Sequence, residues 1–388
     1  MLKQLHARHE VVFAGLVSGE EQQKGTEQAG EYCSKAYWVD HSTPSHQSLA
    51  FAAGALANLL PGSKPYAVAR FASHKLHDLI ASVLEAEAFD LVVCDFLFPA
   101  ASLPWHLHKP GQSPHWVLFQ HNVESLIWER RAASKRGLAS LYLKAQASRM
   151  RSFEGTQCRK FDGILTVSAD DSATLTAKFD LPQVLGVVPT GVDAAYFQAL
   201  PREIPLRPTI VFVGSMDWYA NVDAVTFFAN EVWPRVRQEL PNAVFQIVGR
   251  TPPPDVIALQ SEAMGIEVSG TVPDVRPFMR RSHAMVVPLR IGGGTRLKIY
   301  EAMAAELPVV STRIGAEGLP VADGEHLLLA DDAEQMATAV LRLCRDVTYG
   351  QHLAQQAYSE VIAKHTWEAA AAEFERLCRQ AMEGTAPK

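Results

Sequence analysis

Three consecutive glycines stand directly before two cationic side chains in the stretch "PLRIGGGTRLKIYEAMA", residues 288–304. Arg296 and Lys298 follow the glycines, and Glu301 lies in the helix predicted after them. Glycine costs stability inside a helix or strand, so a run of three indicates a turn that closely approaches another group. A glycine turn that opens a helix offers backbone N–H groups and the positive end of the helix dipole, which suit a phosphate. The alternative is a tight turn with a solvated Arg–Lys pair and a surface glutamate.

The elements around this turn place it at the edge of a sheet. "AMVVPL" before it is an apolar strand, and ligands of open α/β sheets bind at the carboxyl ends of strands. Lys298 and Glu301 are three residues apart and are expected to face one cleft, whereas Arg296 must curl back from the first turn to reach it. Four apolar residues share the helix face predicted to pack on the sheet: Leu297, Tyr300, Met303 and Ala304.

The glycine spacing excludes two common nucleotide motifs. The stretch is not GxGxxG, the dinucleotide-binding pattern, and it is not GxxxxGK[ST], the phosphate loop of NTPases. A dehydrogenase and a phosphate-loop NTPase are therefore both disfavoured.

Length and composition indicate a soluble protein of two domains. The chain has 388 residues, of which 48% are hydrophobic and 20% charged. Its net charge of -6 gives no support to a nucleic-acid partner. The five cysteines are dispersed, which argues against a disulfide framework and against a zinc site. No apolar run reaches the ~20 residues of a transmembrane helix and no signal peptide is recognisable, so a cytoplasmic location is predicted.

Twelve short apolar runs alternate with helical patterns along the chain. Most runs are continuous, as expected for strands of a parallel sheet that is covered on both faces. The pattern predicts an α/β protein with two Rossmann-like doubly wound domains. The predicted divisions are an N-terminal domain at 1–198, a proline-rich linker at 199–207, a C-terminal domain at 208–365, and a final helix and tail at 366–388.

Residues 130–160 contain nine Lys or Arg and one Glu, so this segment carries +8 and the remainder of the chain -14. Leu138, Leu141, Tyr142 and Ala145 are spaced for one helical face. One interpretation is a solvated helix that packs this stripe on the domain. The other is a cationic surface that holds the protein at the inner face of the plasma membrane through anionic lipid.

Motifs along nearly the whole chain resemble those of the group 1 (family 4) glycosyltransferases. In the first half they are "FQHNVESLIWERRA", "FDGILTVSADDSATL" and "VVPTGVDAAYF"; in the second half "FVGSMDWYANVDAV" and "FQIVGRTPPPDV" precede the glycine stretch and "DGEHLLLADDAEQMATAVLRL" follows it. The resemblance implies the GT-B fold, in which two Rossmann-like domains face a cleft and the last helix crosses back to the first domain. It also implies sugar transfer from a nucleotide-diphosphate donor to an acceptor hydroxyl, usually with retention, with neither a metal nor a cofactor.

The resemblance implies roles for residues of the second domain. Glu301 matches a family glutamate that holds the ribose, and a carboxylate suits a vicinal diol because it accepts two hydrogen bonds. The residues implied to bind the diphosphate and nucleotide are Gly292, Gly293, Gly294, Thr295, Arg296, Lys298, Gly214, Ser215, Asn221, Gly270, Val272 and Pro273.

The sequence also departs from the common family pattern. A first motif glutamate would fall at Gly293, and the Arg and Lys of the loop after the first strand of the second domain would fall at Ser215 and Asn221. We infer from this that the charge that neutralises the phosphates has moved to Arg296 and Lys298.

His121 ends an apolar strand, where a histidine paired with a backbone group is the ordinary expectation. The resemblance instead implies that His121 lies near the donor sugar, with Asn122 and Glu124 as weaker candidates. Three aspartates have competing interpretations. Asp193 matches a family motif or caps the next helical turn. Asp217 and Asp223 suggest a metal pair, but capping of a helix start is favoured.

The chain opens with a helix and a strand that match the first helix and second strand of the family. The family's first strand and glycine-rich turn have no counterpart, so two strand edges are expected to lie unpaired. Two explanations stay open, a chain that starts at an internal methionine and a protein that has lost catalysis. The leading function is a retaining glycosyltransferase of cell-surface or lipid-linked glycan assembly, with a saccharide or lipid-linked saccharide as acceptor. The alternatives are a nucleotide-sugar-binding protein without turnover and a nucleotide-sugar epimerase.

Overall fold

The structure is a computed structural model that describes residues 1–18, 25–43, 54, 58, 62–133, 136–198, 200, 203–291 and 297–384. The chain forms two compact units. The first comprises Met1–Pro189 and Ala371–Lys388, and the second comprises Thr190–Ala370.

Each of the twelve predicted strand runs contains a strand, and every strand pair is parallel. The predicted α/β class with two doubly wound units is confirmed. The strands are Val12–Val17 (β1), Lys35–Asp40 (β2), Leu91–Asp95 (β3), His115–Gln120 (β4), Gly163–Thr166 (β5), Val184–Val187 (β6), Thr209–Val213 (β7), Val244–Val248 (β8), Ile266–Gly270 (β9), Ala284–Val287 (β10), Val309–Ser311 (β11) and Leu328–Leu329 (β12).

Helices connect these strands, as parallel pairing requires. They are Leu2–His6 (α1), Tyr66–Ala69 (α2), His74–Ala86 (α3), Glu124–Ala133 (α4), Gly137–Cys158 (α5), Ala169–Phe179 (α6), Ala194–Gln198 (α7), Tyr219–Phe227 (α8), Trp233–Glu239 (α9), Pro254–Ile257 (α10), Arg276–Arg280 (α11), Leu297–Ala304 (α12), Ala333–Arg345 (α13), Val347–Lys364 (α14) and Trp367–Met382 (α15). A π-helical segment at Phe228–Val232 joins α8 to α9. Within the described ranges, no helix is both long and apolar enough to cross a bilayer.

The first unit contains two separate sheets. One pairs β1 with β2, and the other has the order β3-β4-β5-β6. Among the described strands, β1 and β3 are each paired on one side only, which agrees with the two unpaired edges expected from the sequence. Strands β4 and β5 are the best covered, since every residue from Trp116 to Gln120 and from Gly163 to Thr166 is buried.

The second unit has one six-stranded sheet in the order β12-β11-β10-β7-β8-β9. The chain enters at β7, continues outward through β8 and β9, and then returns to the other side of β7 with β10. The strand order therefore reverses between β7 and β10, and such a switch point opens a crevice at the carboxyl ends of the strands. The loops after β7 and β10 are the ones in which the sequence places Ser215 and the glycine turn.

The units divide at Pro189/Thr190, before the predicted linker at 199–207. The intervening residues pack on the second unit because Val192 bridges to Thr366 and Phe197 of α7 is buried in its core. Helix α15 starts in the second unit and passes at Ala371 into the first.

The apolar stripe predicted for residues 130–160 is wrong. Leu141 is 62% exposed and Ala145 is exposed, whereas the side chain of Leu138 lies outside the described residues. Helix α5 instead buries a neighbouring face that packs into the first core. That face comprises Gln146, Ala147, Met150, Phe153 and Glu154.

Candidate functional site

Helix α12 begins at Leu297, directly after the glycine turn. Gly292 to Arg296 lie outside the described residues, so the contacts predicted for Gly292, Gly293, Gly294, Thr295 and Arg296 stay predictions. The predicted buried face of α12 is correct for Tyr300, Met303 and Ala304, but Leu297 is 40% exposed. Leu297 is the first residue of the helix.

Lys298 is joined to the loop after β7. Its Nζ donates to Oδ1 of Asn221 at 2.9 Å and lies 4.4 Å from the centroid of the Phe212 ring. Asn221 is buried, and its Nδ2 donates to the carbonyl oxygen of Ser215 at 2.7 Å. Asn221 therefore connects the ammonium group to the backbone of the opposite loop.

Glycine at position 214 makes this approach possible. A Cβ on Gly214 would lie 2.6 Å from Nζ of Lys298 and 2.9 Å from Nδ2 of Asn221. The end of β8 is equally tight, since a Cβ on Gly249 would lie 1.7 Å from the carbonyl oxygen of Gly214. The backbone at Gly214 and the ammonium group of Lys298 thus lie close together at the switch point, in the crevice that an anionic ligand would enter.

Arg250, which the sequence reasoning missed, lies beside the same loop. Its Nε donates to Oγ of Ser215 at 2.7 Å, and its Nη2 lies 3.2 Å from Oδ2 of Asp217. Oγ of Ser215 donates in turn to Oδ1 of Asp217 at 2.6 Å. The available sequence signal was the position of Arg250, directly after the glycine that ends β8.

The predictions for Asp217 and Asp223 as helix caps are wrong. Helix α8 has Trp218 as its N-cap and no side-chain capping bond. Both aspartates pair with arginines: Asp217 with Arg250, and Asp223 with Arg290 through bonds of 2.7 and 3.0 Å. The described ranges contain no group of three or more His, Cys, Asp or Glu that could hold a metal ion.

Glu301 is a half-buried carboxylate one helical turn after Lys298. Burial raises the pKa of Glu301, and the nearby positive charge of Lys298 opposes that rise. A partly buried carboxylate has lost hydrogen bonds to water. It is therefore well suited to accept hydrogen bonds from the hydroxyl groups of a ligand, which replace them.

The other predicted residues of the second unit lie in two loops. Gly270 has a φ of 64°, which favours glycine, and its carbonyl oxygen accepts a bond from N of Gly249 at 3.1 Å. Val272 is half-buried and Pro273 is exposed, and their nucleobase role stays a prediction. Asp193 accepts a bond from N of Tyr196 at 2.9 Å and so caps α7, which was one of its two interpretations.

In the first unit, His121 pairs with a carboxylate rather than with a backbone group. Its Nε2 lies 2.7 Å from Oδ1 of Asp95. The two side chains meet because both residues stand at the ends of adjacent parallel strands. The imidazole stacks on Phe96, with ring centroids 3.9 Å apart, and contacts the Phe119 ring at 4.3 Å. Asp95 was not predicted, because it lies 26 residues before His121 and belongs to none of the recognised motifs.

A buried carboxylate fixes the turn that carries His121. Glu154 of α5 accepts bonds from the backbone N–H groups of Glu124 and Ser125 at 2.8 and 3.0 Å, and from Nε2 of Gln120 at 2.9 Å. Glu154 therefore caps α4 from another helix, where the helix dipole also favours negative charge.

Glu124 is the second carboxyl of this cluster. Burial and the negative charge of Glu154 raise the pKa of Glu124 to about 7, and a hydrogen bond from the Asn122 side chain opposes the rise. Burial also raises the pKa of Glu154, but its three donors favour the ionised form. Of the two carboxyls, Glu154 thus has the better-supported ionised form, and Glu124 is the one that burial and the neighbouring charge favour in the protonated form.

Comparisons with known proteins agree with this architecture. Residues 207–346 match the family model "Glycosyl transferases group 1". The chain is 24% identical over 157 residues to an uncharacterised 44.6 kDa protein of the cps region of Klebsiella pneumoniae, covering 39% of this chain and 40% of that protein. It is 26% identical over 287 residues to a phosphatidyl-myo-inositol mannosyltransferase of Mycobacterium leprae, covering 70% of this chain and 72% of that protein. The chain thus spans less than half the length of the first of these relatives.

Solved structures show the same fold. WaaG, a glycosyltransferase involved in lipopolysaccharide biosynthesis, superposes with a TM-score of 0.60 at 14% identity, covering 94% of this chain and 99% of that chain. Anabaena Alr3699/HepE in complex with UDP gives a TM-score of 0.65 at 11% identity, covering 97% of this chain and 93% of that chain. The second unit therefore resembles the group 1 glycosyltransferases over residues 207–346, and the chain has the GT-B fold of these solved structures.

Proposed function

We propose that the protein transfers a sugar, with retention of configuration, from a nucleoside-diphosphate sugar to the hydroxyl of a saccharide or lipid-linked saccharide. In this reaction the bond between the anomeric carbon and the diphosphate oxygen breaks. The acceptor oxygen bonds to the same face of the sugar, and its proton passes to a phosphate oxygen of the leaving group. The main task of the protein is then to stabilise charge on the diphosphate.

The observation that carries the proposal is the position of Lys298. Its ammonium group lies at the strand-order reversal, beside Gly214 and held by Asn221. Asn221 and Ser215 stand where the family usually has cations, so Lys298 with Arg296 would supply the charge that this loop lacks. Glu301, one helical turn further on, is placed to accept the ribose hydroxyls.

Two comparisons support a glycan pathway. One relative is a phosphatidyl-myo-inositol mannosyltransferase, and WaaG acts in lipopolysaccharide biosynthesis. Alr3699/HepE was solved with UDP, which supports a nucleotide donor. On this basis we propose that the protein acts in cell-surface or lipid-linked glycan assembly. A position on the cytoplasmic side of the membrane and independence of metal ions are further parts of the proposal.

A donor panel tests the proposal. UDP- and GDP-sugars are incubated with the protein, with and without a mixture of lipid-linked and free saccharides and with EDTA present, and release of the nucleoside diphosphate is measured. Release is expected with one donor class, and it should fall at least ~10²-fold in Lys298→Ala, the cost of losing a charge partner of the transition state. Glu85→Gln, an exposed change in the first unit, serves as the control.

Each alternative has its own outcome in this panel. Saturable donor binding without release would indicate a binding protein that has lost catalysis. Conversion of one donor sugar into another without an acceptor would indicate an epimerase. Equal release by the wild type and Lys298→Ala would refute the role of Lys298. The anomeric configuration of the product, read by NMR, tests retention.

A peripheral membrane contact is a separate proposal for residues 130–160. Leu141 is 62% exposed on this cationic segment, as an apolar anchor would be. Some cationic side chains of the segment already have partners within the protein, however. Arg151 pairs with Glu129, and Arg159 donates to two backbone carbonyls. We expect salt-sensitive sedimentation with vesicles that contain anionic lipid, weakened by Leu141→Ser. Equal binding to neutral vesicles would overturn the proposal.

A further inference from the structure

The pair formed by Asp95 and His121 lies where two parallel strands end. Asp95 is the last residue of β3, and His121 follows the last residue of β4. In the sheet register Asp95 lies opposite Phe119, so a side chain two residues further along β4 is within its reach. Oδ1 of Asp95 and Nε2 of His121 are 2.7 Å apart, which is a hydrogen-bond distance.

Phe96, the residue after Asp95, stacks its ring on the imidazole of His121. Its ring plane is tilted by only 17° from that of His121, at a centroid distance of 3.9 Å. Phe96 adopts a φ of 67°, a conformation that is unfavourable for a non-glycine residue and that persists only where surrounding contacts impose it. Here N of Phe96 donates to the carbonyl oxygen of Phe119 at 3.0 Å. The backbone is thus strained in the conformation that stacks the ring on His121.

A second His–Asp pair in the same unit shows what a purely structural pair looks like. His108 and Asp162 are both buried, and Asp162 also accepts bonds from the backbone N–H groups of Trp116 and Gly111. It therefore ties together the segments that lead into β4 and β5. Asp95, by contrast, is 63% exposed at the opposite ends of the strands. An exposed pair of this kind contributes little to stability, so stability does not explain the strained backbone beside it.

We propose that Asp95 is a positioning residue for His121. The carboxylate accepts the Nε2–H of the imidazole, and this leaves Nδ1 as a hydrogen-bond acceptor. Among the residues that the structure describes, Nδ1 has no hydrogen-bond partner, and it is available to a hydroxyl of the sugar substrate. The pair thereby selects for a hydroxyl donor at this point of the substrate. This inference rests on the proposed glycosyl transfer for its substrate, but the ring geometry stands independently of it.

The first test reads the tautomer directly and needs no activity. In protein labelled with 15N at histidine, the ring signals of His121 are identified by their loss in His121→Ala. The wild type should show a protonated Nε2 and an unprotonated Nδ1. Asp95→Asn should mix or reverse the two forms, because an amide can also donate to Nε2. Asp78→Asn, which alters the exposed aspartate beside His77, is the control and should leave His121 unchanged. An unchanged tautomer in Asp95→Asn would overturn the positioning role.

The second test is a double-mutant cycle on kcat/KM with the best donor of the panel. Asp95→Asn alone should lower kcat/KM ~10- to 100-fold, as expected for a charge-assisted hydrogen bond. The same change in His121→Ala should have no further effect, since Asp95 acts only through the imidazole. Equal losses in both backgrounds would show a general structural effect and refute the inference. If no donor turns over, the proposed function fails, and the tautomer measurement still decides the role of Asp95.

Discussion

Glu124 should make the stability of the first unit depend on pH in an unusual direction. Its pKa is raised from 4.5 to about 7, so the folded state keeps a proton that the unfolded state has already released. The resulting contribution to the free energy of unfolding is present in full below about pH 4.5 and is lost as the pH rises through 7. Each unit of pKa difference between the folded and unfolded states corresponds to ~1.4 kcal/mol, so the loss amounts to ~3 kcal/mol.

The perturbation that isolates this effect is Glu124→Gln. The amide has nearly the shape of the protonated carboxyl but cannot ionise, so the variant should lack the loss between pH ~5 and ~8. Denaturant unfolding at a series of pH values should show the wild type falling by ~3 kcal/mol relative to the variant. Burial also raises the pKa of Asp171 and Glu301, but these groups are present in both proteins and cancel in the difference. Glu154 interacts with Glu124, so the measured difference is the pH dependence of the coupled pair.

Glu85→Gln is the matched control, because Glu85 is an exposed glutamate of α3 in the same unit. It should follow the wild-type curve throughout. Infrared difference spectra near neutral pH should also show a protonated carboxyl band in the wild type that Glu124→Gln removes. Parallel pH dependence of the wild type and Glu124→Gln would contradict the assignment of the proton to Glu124.

The remaining predictions concern the second unit. Gly214→Ala should raise KM for the donor, because the new methyl group lies 2.6 Å from Nζ of Lys298 and 2.9 Å from Nδ2 of Asn221 and must displace both; an unchanged KM would show that the ammonium position is immaterial. Arg296→Ala should lower kcat by at least ~10²-fold, measured on the same donor, and a mild effect there and in Lys298→Ala would refute the relocated charge. Asp193→Ala should destabilise the second unit by ~1 kcal/mol in urea unfolding through loss of the α7 cap, and Asp193→Asn should restore most of that stability.

The strands were predictable because their signal is local. Continuous apolar runs such as "WVLF" and "IVFV" determine both the strand and its burial on two faces. The proximity of Lys298 to the loop after β7 is explained by the strand order, since β7 and β10 are neighbours and their carboxyl ends lie side by side. Local signals failed for α5. The spacing of apolar residues allows a buried face that contains Leu141 or one that contains Met150, and the structure exposes Leu141 and buries Met150.

The pairings between distant side chains could not be predicted in the same way. Asp95 meets His121 only because the register of β3 against β4 brings their ends together. Arg290 and Asp223 are 67 residues apart, and Glu154 reaches the start of α4 from a different helix. Such contacts depend on register and on helix rotation, for which one sequence carries no periodic signal. They are also the contacts that hold the predicted site residues in place.

Helix α15 makes the completion of the first unit depend on prior synthesis of the second. Its residues from Ala371 onward complete the first core: the ring of Phe374 packs at 5.4 Å from that of Phe119, and Leu377 fills the space above Gly186. Domains generally fold in order as the ribosome releases them. Here the second unit, Thr190–Ala370, is translated before the residues that complete the first core. The side chains of β4 and β6 that α15 covers therefore stay exposed during that time, and chaperone dependence during synthesis should concentrate on the N-terminal unit.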